Sequence, residues 1–240
     1  MLAAIEGVEG WLSTSQAARL YAAAARCPAD GAIVEIGSFR GRSTIVLASA
    51  APDGAAVIAV DPHAGNDRGP RELEGFGDAA TGDLLQFQRN LSAAGVSGRV
   101  SHLRAFSAEV RDQVPPIDVL YVDGAHRYGP ARDDIAGYGA KVVDGGTLLI
   151  HDTFSSVGVT LAVGRVLAAG GRFRYVGRSA SLAEYRADLP DRRRARLRNS
   201  VRQGAQLPWF ARNLAVKAFL AGGGATVLRR LGRPVPDWPY

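Results

Sequence analysis

The sequence is poor in cysteine and has no long apolar run. Cys27 is the only cysteine among 240 residues, so the chain can form neither an internal disulfide nor a thiolate zinc cluster. Residues 1–10 lack the basic segment and the apolar stretch of a signal peptide. The most apolar stretch, residues 214–228, is interrupted by three glycines and falls short of a membrane span. These absences predict a soluble, cytoplasmic protein.

Negative charge is scarce at the end of the chain. From Arg186 onward there are twelve Arg or Lys against three Asp, a charge of +9, and this leaves −3 for the first 185 residues out of a total of +6. The basicity therefore belongs to a C-terminal extension, predicted at residues 188–240 after a main domain at residues 1–187. The main domain lacks interleaved basic and aromatic residues, so we do not expect a nucleic-acid partner.

The extension begins with five arginines among residues 192–198 and continues with an apolar stretch, residues 207–220. The arginines are typical of a solvated or salt-bridged helix face. The apolar stretch could pack on the core, on a second subunit or at a membrane surface. We favour the subunit contact, which predicts a homodimer, and keep contact with a membrane surface as the second interpretation.

Short runs of Val, Ile and Leu alternate with stretches of helical periodicity through most of the chain. This alternation is typical of a mostly parallel sheet covered by helices on both faces. The sequence therefore predicts a Rossmann-like, doubly wound α/β fold. The predicted strands are Ala32–Ile36, Ala56–Val60, Val100–Leu103, Val119–Val122 and Thr147–Ile150, and the predicted helices are Ser15–Ala25, Ser43–Ala50, Leu84–Ala94, Ala131–Tyr138 and Val159–Ala169.

Two further segments complete the predicted fold. The β-like runs Phe173–Val176 and Leu182–Arg186 are separated by four residues and predict a closing hairpin. The connection Pro62–Gly82 is long and irregular, with five glycines and two prolines. Long irregular loops often cover ligands, so we expect a lid here. His63 and Asp67 within it are either substrate contacts or solvated residues.

A glycine is missing where a dinucleotide site would need one. Gly37 and Gly41 follow the first predicted strand, but Phe39 stands where the middle glycine would let the backbone approach a pyrophosphate. Asp61 follows Gly37 by twenty-four residues, at the end of the second strand, where a carboxylate can bind both hydroxyls of a ribose. A ribose without a pyrophosphate points to S-adenosylmethionine.

These motifs resemble those of the class I methyltransferases. The matching segments are residues 35–44, Asp61-Pro62, residues 122–126 and residues 151–153, and the resemblance covers roughly residues 33–185. Among these enzymes the chain is most similar to the bacterial O-methyltransferases that tailor macrolides, macrocin and cephamycin and use a divalent metal. The resemblance implies binding of S-adenosylmethionine by Glu35, Gly37, Ser38, Gly41, Ser43, Thr44, Asp61, Ser107 and Asp123.

The resemblance also assigns parts of the cofactor to these residues. Gly37 and Gly41 would line its methionine part, Ser43 and Thr44 would help to hold the carboxylate, Asp61 would bind the ribose and Ser107 would lie near the adenine. For Ser43, helix capping is nearly as good an interpretation.

Four ionisable side chains follow two neighbouring strands. Asp123 ends the fourth predicted strand and His126 comes three residues later, while His151 and Asp152 follow the fifth strand. The carboxyl ends of adjacent parallel strands meet at one rim. Methylating a hydroxyl needs a base or a Lewis acid beside the methyl group. We therefore predict His126 as the general base and Asp123 as a second catalytic residue.

The predicted metal site consists of Asp123, His151 and Asp152, which suit Mg²⁺ or Mn²⁺. The related enzymes have an acidic pair where this chain has His151 and Asp152, so the departure at His151 affects the third ligand. Two alternatives remain: weak binding by the two aspartates alone, or catalysis by His126 without a metal. Asp133 and Asp134 are predicted to lie in the solvated first turn of a helix.

The sequence thus predicts an S-adenosylmethionine-dependent O-methyltransferase acting on a small molecule, and the resemblance favours a sugar, an oligosaccharide or a glycosylated metabolite. Two other classes stay open. One is an NAD(P)-dependent oxidoreductase on a similar sheet, which Phe39 disfavours. The other is a nucleic-acid-binding module that uses the arginine-rich extension.

Overall fold

A computed structural model describes residues 2–64, 77–168 and 171–235, with backbone only for residues 77–81. Seven strands form one sheet in the order β3-β2-β1-β4-β5-β7-β6. The first five pair in parallel, and β7 is antiparallel to both β5 and β6. The strands are β1 Ala32–Ile36, β2 Ala56–Val60, β3 Val100–Leu103, β4 Ile117–Val122, β5 Val142–Ile150, β6 Arg174–Ser179 and β7 Leu182–Arg186.

Helices cover both faces of this sheet. The helices are α1 Thr14–Ala24, α2 Arg42–Ala50, α3 Gly77–Ala93, α4 Ser107–Val110, α5 Tyr128–Gly139, α6 Val157–Val163, α7 Arg193–Gly204, α8 Leu207–Ala221 and α9 Gly224–Arg230. A π-helical turn, Gly164–Ala168, continues α6. Within the described ranges, none of the helices has the length and apolar character needed to cross a bilayer.

Two apolar clusters hold the layers together. One packs α5 and α6 against one face of the sheet, and the other packs α1 and α2 against the opposite face. Central strands contribute to both, because successive side chains point to opposite faces. On β1, for example, Val34 belongs to the first cluster and Ile33 to the second. The predicted doubly wound α/β fold, including the closing hairpin and a helical C-terminal part, is confirmed.

Several boundaries differ from the prediction. β4 and β5 begin earlier than predicted, at Ile117 and Val142, with a register shift between their paired ends. α3 begins at Gly77, inside the segment predicted to be irregular, and the rest of the predicted lid, residues 65–76 with Asp67, lies outside the described residues. β6 extends to Ser179 because the chain reverses at Ala180, whose φ is +48°.

Candidate active site

The carboxyl ends of β1, β2, β4 and β5 open into a cavity of about 930 Å³ among the described residues. This volume is near the upper end of the range for small-molecule sites. One side of the cavity lies at β1 and β2 and is called here the cofactor side. The other lies at β4 and β5 and is called the chemical side. The predicted site residues that line the cavity are Gly37, Ser38, Ser43, Asp61, Ser107, Asp123, His126, His151 and Asp152.

The glycine turn after β1 forms the cofactor side. Gly37 has a φ of +86°, and a Cβ at this position would lie 2.3 Å from the Asp123 carbonyl oxygen. Only glycine fits there. Phe39 also has a positive φ, +44°, without being a glycine. The backbone N–H groups of Ser38 and Phe39 donate to Asp61 Oδ2 at 2.8 and 2.9 Å. Asp61 therefore holds the turn in place.

His63 contacts both Asp61 and the glycine turn. Its backbone N–H donates to Asp61 Oδ1 at 2.7 Å, and its ring Nε2 lies 2.9 Å from the Phe39 carbonyl oxygen. The His63 side chain is buried and packs edge-on against His102. His63 thus supports the glycine turn. Of the two interpretations that the sequence left open, the solvated residue is the one that its burial rules out.

Glu35 lies behind the cofactor side. Ser43 Oγ donates to Glu35 Oε1 at 2.5 Å, and Thr44 Oγ1 donates to the other carboxylate oxygen. Burial raises the pKa of Glu35 to about 7 although these hydrogen bonds oppose the rise. Ser43 reaches the cavity, whereas Glu35, Gly41 and Thr44 do not line it. Those three residues lie behind the residues that line the cofactor side of the cavity.

Ser107 and Asp134 form the end of the cofactor side. Ser107 Oγ donates to Asp134 Oδ1 at 2.5 Å, and burial raises the pKa of Asp134 to about 6. Beside them Phe106 exposes 57% of its surface and lines the cavity. The prediction of a solvated turn is wrong for Asp134, because α5 turns this residue inward. Its neighbour Asp133 is exposed and pairs with Arg132.

On the chemical side, two aspartates and a histidine converge. His126 Nε2 lies 2.8 Å from Asp152 Oδ2, and ligand atoms of Asp123, His126 and Asp152 all lie within 4.8 Å of one another. Asp152 has a φ of +54° and Phe154 has a φ of +59°. Strained backbone of this kind is concentrated at functional sites. The turn after β5 thus presents Asp152 to the cavity at a conformational cost.

The two carboxylates differ in their electrostatic environment. Burial raises the pKa of Asp123, with a further contribution from the charge of Asp152. Burial also opposes ionisation of Asp152, but the neighbouring His151 and His126 lower its pKa well below the usual value. Tyr121 donates to Asp123 Oδ2 at 2.7 Å. The pKa of Asp152 is therefore lower than that of Asp123.

His151 lies behind the two aspartates. Its Nδ1 is 3.4 Å from Asp123 Oδ1 and from Asp152 Oδ2, and its Nε2 is 3.1 Å from the amide nitrogen of Gln16 on α1. Burial lowers the pKa of His151, but the two carboxylates raise it more strongly, to about 9. The group whose ligand atoms all lie within 4.8 Å of one another contains Asp123, His126 and Asp152, and His151 lies behind it.

Comparison with known proteins places this cavity in a family. The profile described as a methyltransferase domain matches residues 34–153, which are 120 of the 240 residues. The match runs from β1 through Asp152 and so includes both sides of the cavity. The chain belongs to this methyltransferase family. The predicted membership of the class I methyltransferases, and with it the prediction of an enzyme, is confirmed.

Solved structures share the methyltransferase fold at low sequence identity. The cofactor-bound protein Rv0187 from MTB is 17% identical with a TM-score of 0.56, and the match covers 78% of this chain and 87% of that one. An O-methyltransferase from Bacillus cereus in complex with SAH is 15% identical with a TM-score of 0.53, covering 77% and 84%. TomG from Streptomyces achromogenes, an O-methyltransferase involved in tomaymycin synthesis, is 18% identical with a TM-score of 0.50, covering 73% and 79%.

The methyltransferase cavity also fits a divalent ion by its donor set. An octahedral ion with ligands about 2.1 Å away separates neighbouring ligand atoms by roughly 3 Å. The His126–Asp152 distance of 2.8 Å and the 4.8 Å limit for the whole group are compatible with that spacing. Carboxylate oxygens with one imidazole nitrogen suit Mg²⁺ or Mn²⁺. Asp123, His126 and Asp152 could therefore hold such an ion.

Sequence reasoning missed the parts of the methyltransferase cavity that come from distant segments. Trp11, before α1, and Leu214 and Lys217, on α8, line it. Lys217 Nζ donates to the carbonyl oxygen and the hydroxyl of Ser155, both at 2.9 Å. No local pattern marks these residues. Tyr121 did have a signal, because it lies two residues before Asp123 on a strand and so points to the same face.

Proposed function

We propose that this methyltransferase transfers the methyl group of S-adenosylmethionine to a hydroxyl oxygen of a small molecule. The observation that supports this most directly is that one cavity joins two sites. The glycine turn held by Asp61 lines one side, and Asp123, His126 and Asp152 converge on the other. An enzyme that methylates an alcohol needs both a nucleoside site and a means of removing a proton.

On the cofactor side, Asp61 is positioned to accept hydrogen bonds from the ribose. Gly37 and Ser38 border the methionine part, and Ser43 lies where the cofactor carboxylate would be. Phe106 offers an exposed aromatic face on which the adenine can stack. Glu35 and Thr44, which do not line the cavity, act by holding Ser43 and the start of α2.

On the chemical side, His126 removes the proton from the acceptor hydroxyl. Its Nε2 lies 2.8 Å from Asp152, the aspartate whose pKa the neighbouring histidines lower. A carboxylate beside an imidazole orients the ring and stabilises the positive charge that develops on it. Tyr121 holds Asp123, and Asp123 forms the cavity wall between the cofactor turn and His126.

The proposal includes a divalent metal ion that assists the methyl transfer. Mg²⁺ or Mn²⁺ would be held by Asp123 and Asp152, with His126 within the same group of donor atoms. When bound, such an ion would lower the pKa of the acceptor hydroxyl. His126 serves as the base if the two aspartates alone bind the ion, and as a ligand if all three residues do. The Mn²⁺ affinity of His126→Ala separates these two cases, because it falls only if His126 is a ligand.

The acceptor we propose is a sugar, an oligosaccharide or a glycosylated metabolite. Trp11 provides a flat apolar surface in the cavity, and Lys217 and Ser155 provide polar groups beside it. Such a combination suits a polyhydroxylated ring. We also propose a cytoplasmic protein with a catalytic domain at residues 1–187 and an extension at residues 188–240.

The test is methyl transfer to a panel of sugars, glycosides and catechols, with mass spectrometry and NMR to locate the methyl group. We expect O-methylated product, lower activity after treatment with EDTA, and recovery with Mg²⁺ or Mn²⁺. Asp152→Asn is expected to reduce turnover strongly. Asp133→Asn, which alters an exposed aspartate on α5, is the matched control. Methylation of nitrogen or carbon alone would contradict the proposal, and activity indifferent to EDTA would remove the metal from it.

A further inference from the structure

The C-terminal helices expose many apolar side chains. Among the described residues, thirteen large hydrophobic side chains are exposed, and six of them lie in α7 to α9 and the turn after α9. Single exposed apolar residues are ordinary, whereas a concentration in one region indicates an interaction surface. The six residues are Leu197, Val201, Leu207, Phe219, Val227 and Leu231, with exposures between 46% and 67%.

On α7 the usual distribution of polar and apolar residues is inverted. Asn199 and Gln203 are buried against the domain, each only 3% exposed. Asn199 accepts a hydrogen bond from the Tyr175 backbone N–H at 2.7 Å. Leu197 and Val201 are 67% and 62% exposed. A helix that only covered a soluble domain would place its apolar residues inward. The outer face of α7 therefore combines these two apolar side chains with exposed arginines.

α8 also buries a polar residue, although its Trp209 and Phe210 pack against the core. Asn213 is fully buried and donates to the Phe154 carbonyl oxygen at 3.0 Å. On the exposed side of α8, Arg212 lies beside a stripe of apolar residues at helical spacing. The stripe consists of Leu207, Ala211, Ala215, Ala218 and Phe219. We call the exposed sides of α7, α8 and α9 the outer face of the extension.

Charge decides which partner fits this outer face. Residues 192–235 contain eleven Arg or Lys and no Asp or Glu. These are ten arginines and one lysine. All ten arginines are exposed, and eight of them form no side-chain ion pair or hydrogen bond within the described part of the chain. The eight are Arg192, Arg193, Arg194, Arg198, Arg212, Arg229, Arg230 and Arg233.

This charge distribution disfavours two other occupants. A second copy of the chain bound through the same face would bring like charges together, because a two-fold interface pairs a surface with itself. Nucleic acid would neutralise the arginines but would leave Leu197, Leu207 and Phe219 exposed to water or to phosphate. A surface that accepts both cations and apolar side chains is a lipid bilayer with anionic headgroups.

We propose that the outer face of the extension binds an anionic lipid surface. The arginines contact the headgroups, and the apolar residues enter the region between headgroups and acyl chains. The inner side of α8 lines the methyltransferase cavity through Leu214 and Lys217. A bound lipid surface would thus lie about one helix diameter, ~10 Å, from the cavity.

The test is flotation of the full chain with phosphatidylcholine vesicles that contain or lack phosphatidylglycerol. We expect binding to the phosphatidylglycerol vesicles at low salt, weaker binding at high salt, and little binding to phosphatidylcholine alone. Leu207→Glu with Phe219→Glu should reduce binding roughly tenfold or more, since both side chains must leave water. The matched control is Leu161→Glu on α6, where Leu161 is 57% exposed. Circular dichroism melting checks that each variant folds.

Three results would overturn the proposal. The first is the absence of the wild-type chain from phosphatidylglycerol vesicles at low salt. The second is a wild-type dimer that Leu207→Glu with Phe219→Glu converts to a monomer, since the face would then bind a second copy. The third is vesicle binding that this double variant leaves unchanged. Tight, salt-sensitive binding to random duplex DNA without vesicle binding would assign the arginines to nucleic acid.

Discussion

The cofactor side and the chemical side of the cavity are built in different ways. The cofactor side comes mainly from short stretches that lie close together in the sequence. It is held by hydrogen bonds from the backbone N–H groups of Ser38, Phe39 and His63 to Asp61. Backbone donors exist whatever the side chains are. A turn of this kind therefore depends on few residue identities, chiefly Gly37 and Asp61.

The chemical side is assembled from side chains of distant segments. Asp123 and His126 follow β4, Asp152 follows β5, Trp11 precedes α1 and Lys217 lies on α8. Its contacts are between side chains and between charges, so they depend on the identity of each residue. The cofactor side therefore depends on few side chains, and the chemical side depends on many. The expected effects of substitutions should separate in the same way.

The largest expected effect is on turnover at the chemical side. His126→Ala removes the proposed proton acceptor, and kcat should fall roughly 100- to 10,000-fold. The affinity for S-adenosylhomocysteine should stay within about threefold, because His126 lies away from the turn at Gly37. Turnover is measured with the acceptor found in the panel, and affinity by calorimetry. A variant with unchanged kcat would remove His126 from the mechanism.

The next effect should be confined to the cofactor side. Asp61→Asn keeps the size of the side chain but loses its charge and one acceptor for the backbone N–H groups and the ribose. The affinity for S-adenosylhomocysteine should fall roughly 10- to 100-fold. Metal affinity, followed by calorimetry with Mn²⁺, should not change. A loss of both affinities together would show that the two sides are not independent.

A smaller effect tests the part of the cavity contributed by the extension. Lys217→Met keeps the length of the side chain but removes the ammonium group beside Ser155. The KM for the acceptor should rise roughly tenfold while the affinity for S-adenosylhomocysteine stays unchanged. Lys141→Met is the matched control, because Lys141 also donates to a carbonyl oxygen, that of Arg111, but does not line the cavity. Equal KM values for both variants would exclude the Lys217 ammonium group from acceptor binding.

The smallest effect concerns stability at the end of the cofactor side. The folded-state pKa of Asp134 is raised to about 6 from 3.8, so the folded chain holds its proton more tightly than the unfolded chain does. Its contribution to the free energy of unfolding therefore decreases as pH rises from about 3.8 to about 6.

Asp134→Asn removes that pH dependence. Between pH 4 and pH 7 the stability of the variant relative to the wild type should rise by roughly 2 kcal/mol, since each unit of difference in pKa corresponds to about 1.4 kcal/mol. Urea unfolding at the two pH values measures the difference. Asp133→Asn, at the exposed neighbour, should show no such change, and a wild type without the extra slope would contradict the assignment to Asp134.

The sequence predicted the cofactor side better than the chemical side for a physical reason. The bounds of β1, β2 and β3 agree with the prediction, and for β1 and β2 the reason is that apolar runs followed by glycine or aspartate have few other interpretations. The positions of Gly37 and Asp61 follow from those strand ends. These signals are local in the sequence, and the backbone bonds that they imply are also local.

The chemical side could be predicted only as a set of strand-end residues. The position of His151 behind the two aspartates includes a contact with Gln16, a helix residue from across the domain. The burial of Asp134 depends on how α5 rotates over the sheet. The place of Lys217 depends on the packing of α8, for which Asn213 supplies an anchor. Contacts of this kind arise from tertiary packing and leave no periodic signal.

The most direct test of the account is calorimetric titration of S-adenosylhomocysteine into the wild type, Asp61→Asn, His126→Ala and Asp133→Asn, with NADH titrated in parallel. The account predicts binding to the wild type, His126→Ala and Asp133→Asn with similar affinity, weak binding to Asp61→Asn, and no binding of NADH. A wild-type chain that binds NADH and ignores S-adenosylhomocysteine would contradict it.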